Sequence, residues 1–141
     1  MTQEQKELLL IDVCARLPYK PIVQIDNCGI WNLRGIDHDD SAELRDRVIV
    51  WHGETYPSSK NSFPITDCKP YLFPLSNMND NEELKKEFDG LIELELKAIN
   101  DEIAPTQATE FEVDFYNKHH LDWRGLIPMG LAIDATELNI Y

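Results

Sequence analysis

The sequence has few of the residues that build several common kinds of site. Its 141 residues include six glycines, three cysteines and 13 Lys and Arg side chains, against 26 Asp and Glu. The scattered glycines exclude a glycine-rich loop that would cradle a phosphate with backbone amides. Three widely spaced cysteines do not resemble the dense, even-numbered framework of a small secreted domain, so we interpret them as reduced thiols.

The shortage of basic side chains leaves a formal net charge of -13. Binding to nucleic acid or to anionic lipid relies on Lys and Arg contacts with phosphate, so we predict no direct nucleic-acid binding and no membrane binding.

Long apolar runs are also missing. The apolar residues 8–11 end at Asp12, which is too early for a secretion signal, and no stretch approaches the roughly 18 apolar residues of a membrane span. We therefore expect a soluble, cytoplasmic protein.

The acidic side chains are concentrated in one part of the chain. Residues 80–114 contain 12 acidic and 3 basic side chains, a net charge of -9 out of the total of -13. Such a run often serves only to keep a helix face solvated. The alternative is an acidic surface that binds a basic surface on a partner protein. The candidate partner-binding residues are Glu82, Glu83, Glu87, Asp89 and Glu93.

Apolar residues at helical spacing predict three helices. They cover residues 2–17, residues 80–100 and the second half of residues 109–120. Thr2 and Thr109 are the predicted N-caps, because a threonine hydroxyl can accept a hydrogen bond from a free backbone N–H of the first turn. Pro18 ends the first helix, since the residue before a proline avoids the helical region. Cys14 flanks the apolar stripe of this helix and is expected to be a small core residue.

Alternating and β-branched runs predict strands over residues 21–26, 29–36 and 47–52. Turn residues join the first two strands, which we expect to form a hairpin. Residues 63–75 contain three prolines, so we expect them to run extended over the surface with at most one short edge strand. Residues 38–43 are predicted as a polar link and residues 53–61 as a mobile loop. Together these elements predict one α+β domain over residues 1–141, with a small antiparallel sheet covered by two or three helices.

Signatures of the common enzyme classes are missing, including G-x-S-x-G, the Walker loop, G-x-G-x-x-G and paired C-x-x-C motifs. His38, Asp39 and Asp40 resemble the metal pair of HD-type phosphohydrolases, but that site also needs a histidine further upstream, and His38 is the first in the chain. We therefore assign no catalytic residue, no metal ligand and no cofactor, and we expect a protein that is not an enzyme.

The densest cluster of potential ligands is the pair His119 and His120. Adjacent side chains on a regular helix point about 100° apart, so both rings do not readily face one metal ion. We expect the pair at the C-terminus of a helix, with one ring packed and the other in solvent. A metal-dependent hydrolase that uses one of these histidines with an acidic partner remains a further alternative.

Trp123 and Arg124 support a second functional class, a module that binds a small molecule. An indole ring can stack on a base, and a guanidinium can grip a phosphate or carboxylate with two hydrogen bonds. The ligand in this alternative is a small nucleotide or signalling molecule. The candidate ligand-binding residues are Tyr71, His119, His120, Trp123 and Arg124.

Four segments spread along the chain carry a family resemblance. They read LLLIDVCARLPY at residues 8–19, KPYLFPLSNM at residues 69–78, HHLDWRGLI at residues 119–127 and GLA at residues 130–132. These segments resemble a family of small proteins found in phages, prophages and mobile elements of Bacteroides-type gut bacteria. Residues 39–63 and 80–109 depart from the family pattern, so a function located there would be particular to this chain.

The resemblance implies an accessory protein of a mobile element in the cytoplasm of a bacterial host, and it carries over no activity, ligand or catalytic residue. Combined with the charge distribution, it favours one hypothesis. A small acidic protein of this kind can place carboxylates where phosphates would bind and thereby inhibit a host nucleic-acid-binding or defence protein. The expected partner is a host protein with a basic surface, and the oligomeric state is left open.

Overall fold

A computed structural model of the chain describes residues 1–37, 46–51, 60–100 and 105–141. Within these residues the helices are α1 (Gln3–Arg16), α2 (Asn77–Asp80), α3 (Glu82–Asn100) and α4 (Pro105–Lys118). The strands are β1 (Ile22–Ile25), β2 (Gly29–Asp37), β3 (Arg47–Trp51), β4 (Lys60–Pro64), β5 (Cys68–Pro74), β6 (Leu121–Asp122) and β7 (Ile133–Asp134). The predicted polar link and residues 53–59 of the predicted loop lie outside the described residues. The last two residues of that predicted loop belong instead to β4.

Helix α1 confirms the first predicted helix and its cap. The Thr2 hydroxyl accepts a hydrogen bond from the backbone N–H of Gln5 at 3.1 Å, and the Gln5 side chain accepts one from the backbone N–H of Thr2 at 2.9 Å. The helix buries Leu9 and Val13 in the core. Cys14 is exposed, so its predicted core position was wrong. The buried face of α1 includes two charged side chains beside Leu9 and Val13, and Cys14 lies outside that face.

The sheet confirms the predicted hairpin and the third predicted strand. Its order is β4-β3-β2-β1-β5-β6, and β7 also pairs with β5. The pairs β1–β2, β2–β3, β3–β4 and β1–β5 are antiparallel, whereas β6 and β7 pair with β5 in parallel, so the sheet is mixed. Alternate residues of the inner strands are buried in one core with α1, namely Val23, Ile25, Trp31, Leu33, Val48 and Val50.

Strand β5 overturns the expectation for residues 63–75. It lies inside the sheet instead of crossing the surface, and Cys68, Tyr71 and Leu72 are buried. Prolines are tolerated here because no neighbour pairs with the whole strand. β1 pairs with the first three residues of β5, β7 with the middle two and β6 with the last two. A missing backbone N–H therefore interrupts no long ladder of hydrogen bonds.

Helices α3 and α4 pack against each other as an antiparallel pair. Phe88 of α3 contacts Phe115 and Tyr116 of α4, with ring centroids 5.4 and 6.0 Å apart. Helix α3 confirms the helix predicted in the acidic segment. Helix α4 begins at Pro105, so the predicted cap at Thr109 was wrong. A proline suits the first helical position because its fixed φ is helical and its missing N–H has no partner there in any helix.

The segment after α4 completes the core. Leu126, Leu131 and Ala132 are buried with side chains of α1 and the sheet. The Asp122 carboxylate holds the turns of this segment, because it accepts hydrogen bonds from the backbone N–H groups of Leu126 and Ile127 at 2.8 Å each. Helix α1, the sheet and this segment thus share one core, and the predicted single α+β domain is confirmed.

Candidate functional site

All five predicted partner-binding carboxylates lie on α3 and are exposed. We call this set the acidic surface, and it consists of Glu82, Glu83, Glu87, Asp89 and Glu93. The helix that carries it is fixed at its beginning by Asn81, whose side-chain oxygen accepts a hydrogen bond from the backbone N–H of Leu84 at 3.1 Å. The contact of Phe88 with α4 fixes its middle. The carboxylates therefore project from a supported helix rather than from a loop.

The helical period divides the acidic surface into two adjoining rows. At about 100° per residue, Glu82, Asp89 and Glu93 lie within about 40° of one another around the helix axis, and the other two carboxylates lie to one side. Lys85 and Lys86 are exposed on the same helix. Five carboxylates and two ammonium groups leave this part of α3 with a net charge of -3.

Glu87 connects the acidic surface to the end of α4. Lys118 donates a hydrogen bond to Glu87 Oε1 at 3.0 Å, and His119 Nε2 lies 3.1 Å from Glu87 Oε2. Partial burial raises the pKa of Glu87, but the hydrogen bonds and charges of Lys118 and His119 outweigh burial and lower the pKa below its ordinary value. Glu87 is therefore partly neutralised, and the other four carboxylates are the better candidates for contact with a partner.

A pocket of about 360 Å³ opens beside the acidic surface, where α2, α3 and the end of β5 meet. Phe73, Leu84 and Leu121 form its apolar walls. Its polar lining residues are Asn77, Asp80, Asn81, His119 and Thr136. The amide nitrogen of Asn77 donates a hydrogen bond to Thr136 Oγ1 at 2.9 Å, which ties α2 to the segment after β7. This volume is at the lower end of the range for small-ligand sites.

The predicted ligand-binding residues do not all meet at this pocket. His119 lines it, whereas Tyr71 is buried in β5 and donates a hydrogen bond to a side chain of β1 at 3.0 Å. The Arg124 guanidinium lies over the Trp123 ring, 4.0 Å from the centroid, so these two side chains do stack on each other. Trp123 Nε1 donates to Asn117 Oδ1 at 3.0 Å. The stacked pair is thus held by contacts inside the protein.

Arg124 also meets a buried carboxylate that sequence reasoning did not single out. Arg124 Nε lies 3.4 Å from Asp12 Oδ1, and Arg16 donates to the two oxygens of Asp12 at 2.7 and 3.0 Å. Asp12 and Arg16 are fully buried, and Arg16 also donates to the backbone oxygen of Leu121 at 2.9 Å. The i,i+4 spacing of Asp12 and Arg16 on a predicted helix was the available signal. The pair joins α1 to the segment after α4.

His120 is the packed ring of the histidine pair. It is buried and has a left-handed backbone, with φ of 56°. Its ring stacks on Tyr141, with the centroids 3.7 Å apart. Burial, together with the positive charges of Arg16 and His119, lowers the pKa of His120 to about 4. His120 is therefore neutral at pH 7, while its neighbour His119 faces the pocket.

The Tyr141 hydroxyl lies between two strands of the sheet. It accepts a hydrogen bond from the backbone N–H of Ile22 and donates one to the backbone oxygen of Tyr71, both at 3.0 Å. Burial raises the pKa of Tyr141 to about 12, although the contact with Ile22 and the charge of Arg16 act to lower it. The hydroxyl thus stays protonated at neutral pH and bridges β1 and β5.

The thiols and the potential metal ligands form no further site in the part of the chain that the structure describes. Cys14 and Cys28 are exposed free thiols, and Cys68 is buried. Burial, reinforced by the charges of Asp26 and Asp67, raises the pKa of Cys68 to about 12. Among the described residues no three His, Cys, Asp or Glu side chains are grouped closely enough to hold a metal ion. The sequence His38-Asp39-Asp40 lies outside the described residues.

Among the described helices, none is long and apolar enough to cross a membrane. Comparisons of the chain with family models, with curated proteins and with solved structures give no match. The function is therefore inferred from the chain's own residues and their arrangement.

Proposed function

We propose that this protein is a non-enzymatic interaction protein whose acidic surface binds a basic surface of another protein. The observation that carries this proposal is the exposure of all five carboxylates on one supported helix. From the first to the last, these residues span about 16 Å along the axis of α3. Negative charges held in a fixed array complement a basic surface and accelerate encounter with it.

The partner is a host protein with a basic surface, such as a nucleic-acid-binding or defence protein. The resemblance to proteins of Bacteroides-type mobile elements supports a place in the cytoplasm of a bacterial host. Carboxylates spaced along a helix can occupy positions where a basic groove would otherwise hold phosphates. Binding there would inhibit the partner by competition with its nucleic acid.

Affinity capture with matched charge reversals tests this proposal. The test variant carries Glu82→Lys, Asp89→Lys and Glu93→Lys, which reverse one row of the acidic surface and leave the Glu87 contacts intact. Its control carries Glu4→Lys, Glu7→Lys and Asp26→Lys, which reverse the same number of exposed carboxylates elsewhere. Both variants change the net charge equally, so a difference between them reports location and not total charge.

We expect the tagged native protein to capture a basic protein from the host lysate at low salt and to release it at moderate salt. The control should capture the same protein, and the test variant should lose at least about tenfold in affinity, measured with the purified partner. Equal affinities for the two variants, or binding that is unchanged across the salt series, would refute the role of the acidic surface.

The nucleotide-binding alternative stays a prediction, and the geometry supports it less. Arg124, its candidate phosphate ligand, is already placed against Asp12 and Trp123. A panel of nucleotides in a thermal-shift assay distinguishes the two functions. A nucleotide at 100 times its dissociation constant would add about 2.7 kcal/mol to the free energy of unfolding.

A further inference from the structure

The pocket beside α3 combines apolar walls with an unshared negative charge. Asp80 is exposed at the rim, and within the described residues no side chain forms a hydrogen bond or ion pair with its carboxylate. The described lining residues include no Lys and no Arg. A ligand for such a pocket needs an apolar stem and a positively charged end. An anionic ligand would instead meet the Asp80 carboxylate.

We propose that this pocket receives the side chain of a lysine from the basic partner protein. The choice of a protein side chain rests on the proposed function, whereas the chemistry of the pocket does not. The four methylenes of a lysine can pack against Phe73, Leu84 and Leu121, and its ammonium group can reach the rim. An ammonium group is a compact charge that donates in three directions, which suits a pocket lined by one carboxylate and by the amide of Asn77.

Acceptors for this ammonium group are available at the rim. The amide nitrogen of Asn77 is already used as a donor to Thr136, which leaves the Asn77 oxygen free to accept. The Asp80 carboxylate supplies the charge. In addition, His119 directly follows the last residue of α4, so the C-terminus of that helix and its partial negative charge lie close to the pocket.

The pocket adjoins the acidic surface on the side of Glu87. Leu84 lines the pocket and, at about 100° per residue, lies about 60° from Glu87 around the axis of α3. His119 also lines the pocket and lies 3.1 Å from Glu87. A partner that lays a basic surface along α3 would therefore hold its lysines within reach of the opening. The acidic surface attracts the partner, and the pocket selects a lysine at one position.

Titration of the 141-residue protein with short peptides, followed by amide NMR spectra, tests the proposal. The probe is acetyl-Gly-Gly-Lys-Gly-Gly-amide, and the peptide with norleucine in place of lysine is its uncharged control. We expect the lysine peptide to shift the amide signals of Leu84 and Leu121 with millimolar affinity. The norleucine peptide should bind at least about threefold more weakly, because it cannot pair with Asp80.

Two variants locate the charge that is recognised. Asp80→Asn keeps the shape of the rim and should weaken the lysine peptide by about two- to fivefold, while leaving the norleucine peptide unchanged. Glu4→Gln removes an exposed carboxylate of α1 that neither lines the pocket nor belongs to the acidic surface, and it should leave both affinities unchanged. The melting temperature of each variant serves as the check that it has folded.

The proposal would be overturned if the lysine peptide shifted no amide signal at the pocket, if the lysine and norleucine peptides bound equally, or if Asp80→Asn had no effect. As a further probe, putrescine is a free amine without a peptide backbone. Tighter binding of putrescine than of the lysine peptide would also overturn the proposal. The last outcome would assign the pocket to a free amine. These results are independent of the lysate experiment. If partner capture depends on α3 but is unchanged by Asp80→Asn, the role of the pocket is refuted and the role of the acidic surface is supported. If the lysine peptide binds the pocket but no partner is captured, the role of the acidic surface is refuted and the pocket is supported.

Discussion

Removing the buried carboxylate of Asp12 should destabilise the protein far more than removing an exposed carboxylate. Asp12→Asn keeps the shape of the side chain and removes its charge. Arg16 is fully buried, donates two hydrogen bonds to Asp12, and has the Leu121 backbone oxygen as its other acceptor. The substitution therefore leaves a guanidinium in the interior without a counter-ion. Arg124 is affected less, because its side chain is 20% exposed and can turn toward water.

The size of the effect follows from the cost of an unpaired buried charge. Breaking a buried ion pair by removing one partner typically costs about 3–5 kcal/mol. Domains are stabilised by only about 5–15 kcal/mol in total, so the loss is a large fraction of the whole. An unfolding entropy of about 2.1 cal/mol/K per residue amounts to about 0.3 kcal/mol/K for this chain, which converts the loss to a fall of about 10–17 °C in melting temperature.

Urea denaturation of four proteins measures this effect: the native chain, Asp12→Asn, the double variant Asp12→Asn with Arg16→Met, and Asp26→Asn as an exposed control. The double variant should be more stable than Asp12→Asn alone by at least about 1 kcal/mol, because it no longer buries a lone charge. The control should lie within about 0.5 kcal/mol of the native chain. A loss below about 1 kcal/mol for Asp12→Asn would show that Arg16 is not confined as the structure indicates.

Two further predictions concern titration and thiol reactivity. The pKa of His120 is about 4 in the folded protein and about 6.5 when unfolded, so below pH 6.5 the unfolded chain takes up a proton that the folded protein does not. Stability should therefore fall from pH 6.5 toward pH 4, by an amount on the order of 3 kcal/mol from this group. His120→Asn, which tolerates the left-handed backbone, should show a shallower fall in urea denaturation across that pH range, and an unchanged slope would contradict the assignment. For the thiols, Ellman's reagent should modify Cys14 and Cys28 in the native protein and Cys68 only after unfolding, and rapid native reaction of Cys68 would contradict its burial.

Local patterns predicted those elements whose stability is decided by neighbouring residues. The cap at Thr2 and the hairpin of β1 and β2 depend on contacts within a few positions of the chain, and helix α3 has a helical period that its own sequence displays. Strand β5 could not be recognised in the same way, because its place inside the sheet depends on β1, β6 and β7, which come from distant parts of the chain. Its prolines indicated an edge, and only the pairing of different neighbours along its length makes them acceptable.

The same difference between local and long-range contacts applies to the candidate site. Exposure of the α3 carboxylates could be expected from helical periodicity and charge. The pocket could not, because its walls join Phe73 of β5, Leu84 of α3 and Leu121 of β6. The charged partner of Arg124 could not be predicted either. The sequence is equally compatible with Arg124 facing a ligand and with Arg124 facing Asp12, as it does in the structure. Sequence spacing shows that two groups share a helix face, but it does not show what the rest of the chain places opposite them.

The bridging hydroxyl of Tyr141 has a consequence for the order in which the protein can be assembled during synthesis. Its two hydrogen bonds join residue 141 to Ile22 and Tyr71, which are 119 and 70 positions earlier in the sequence. While the chain is still growing, β1 and β5 can pair directly, but the two hydrogen bonds through the Tyr141 hydroxyl are missing until residue 141 has been added. The N-terminal helix and first hairpin, which rely on local contacts, can form much earlier. The nascent protein therefore completes this part of its sheet only after Tyr141 has been synthesised.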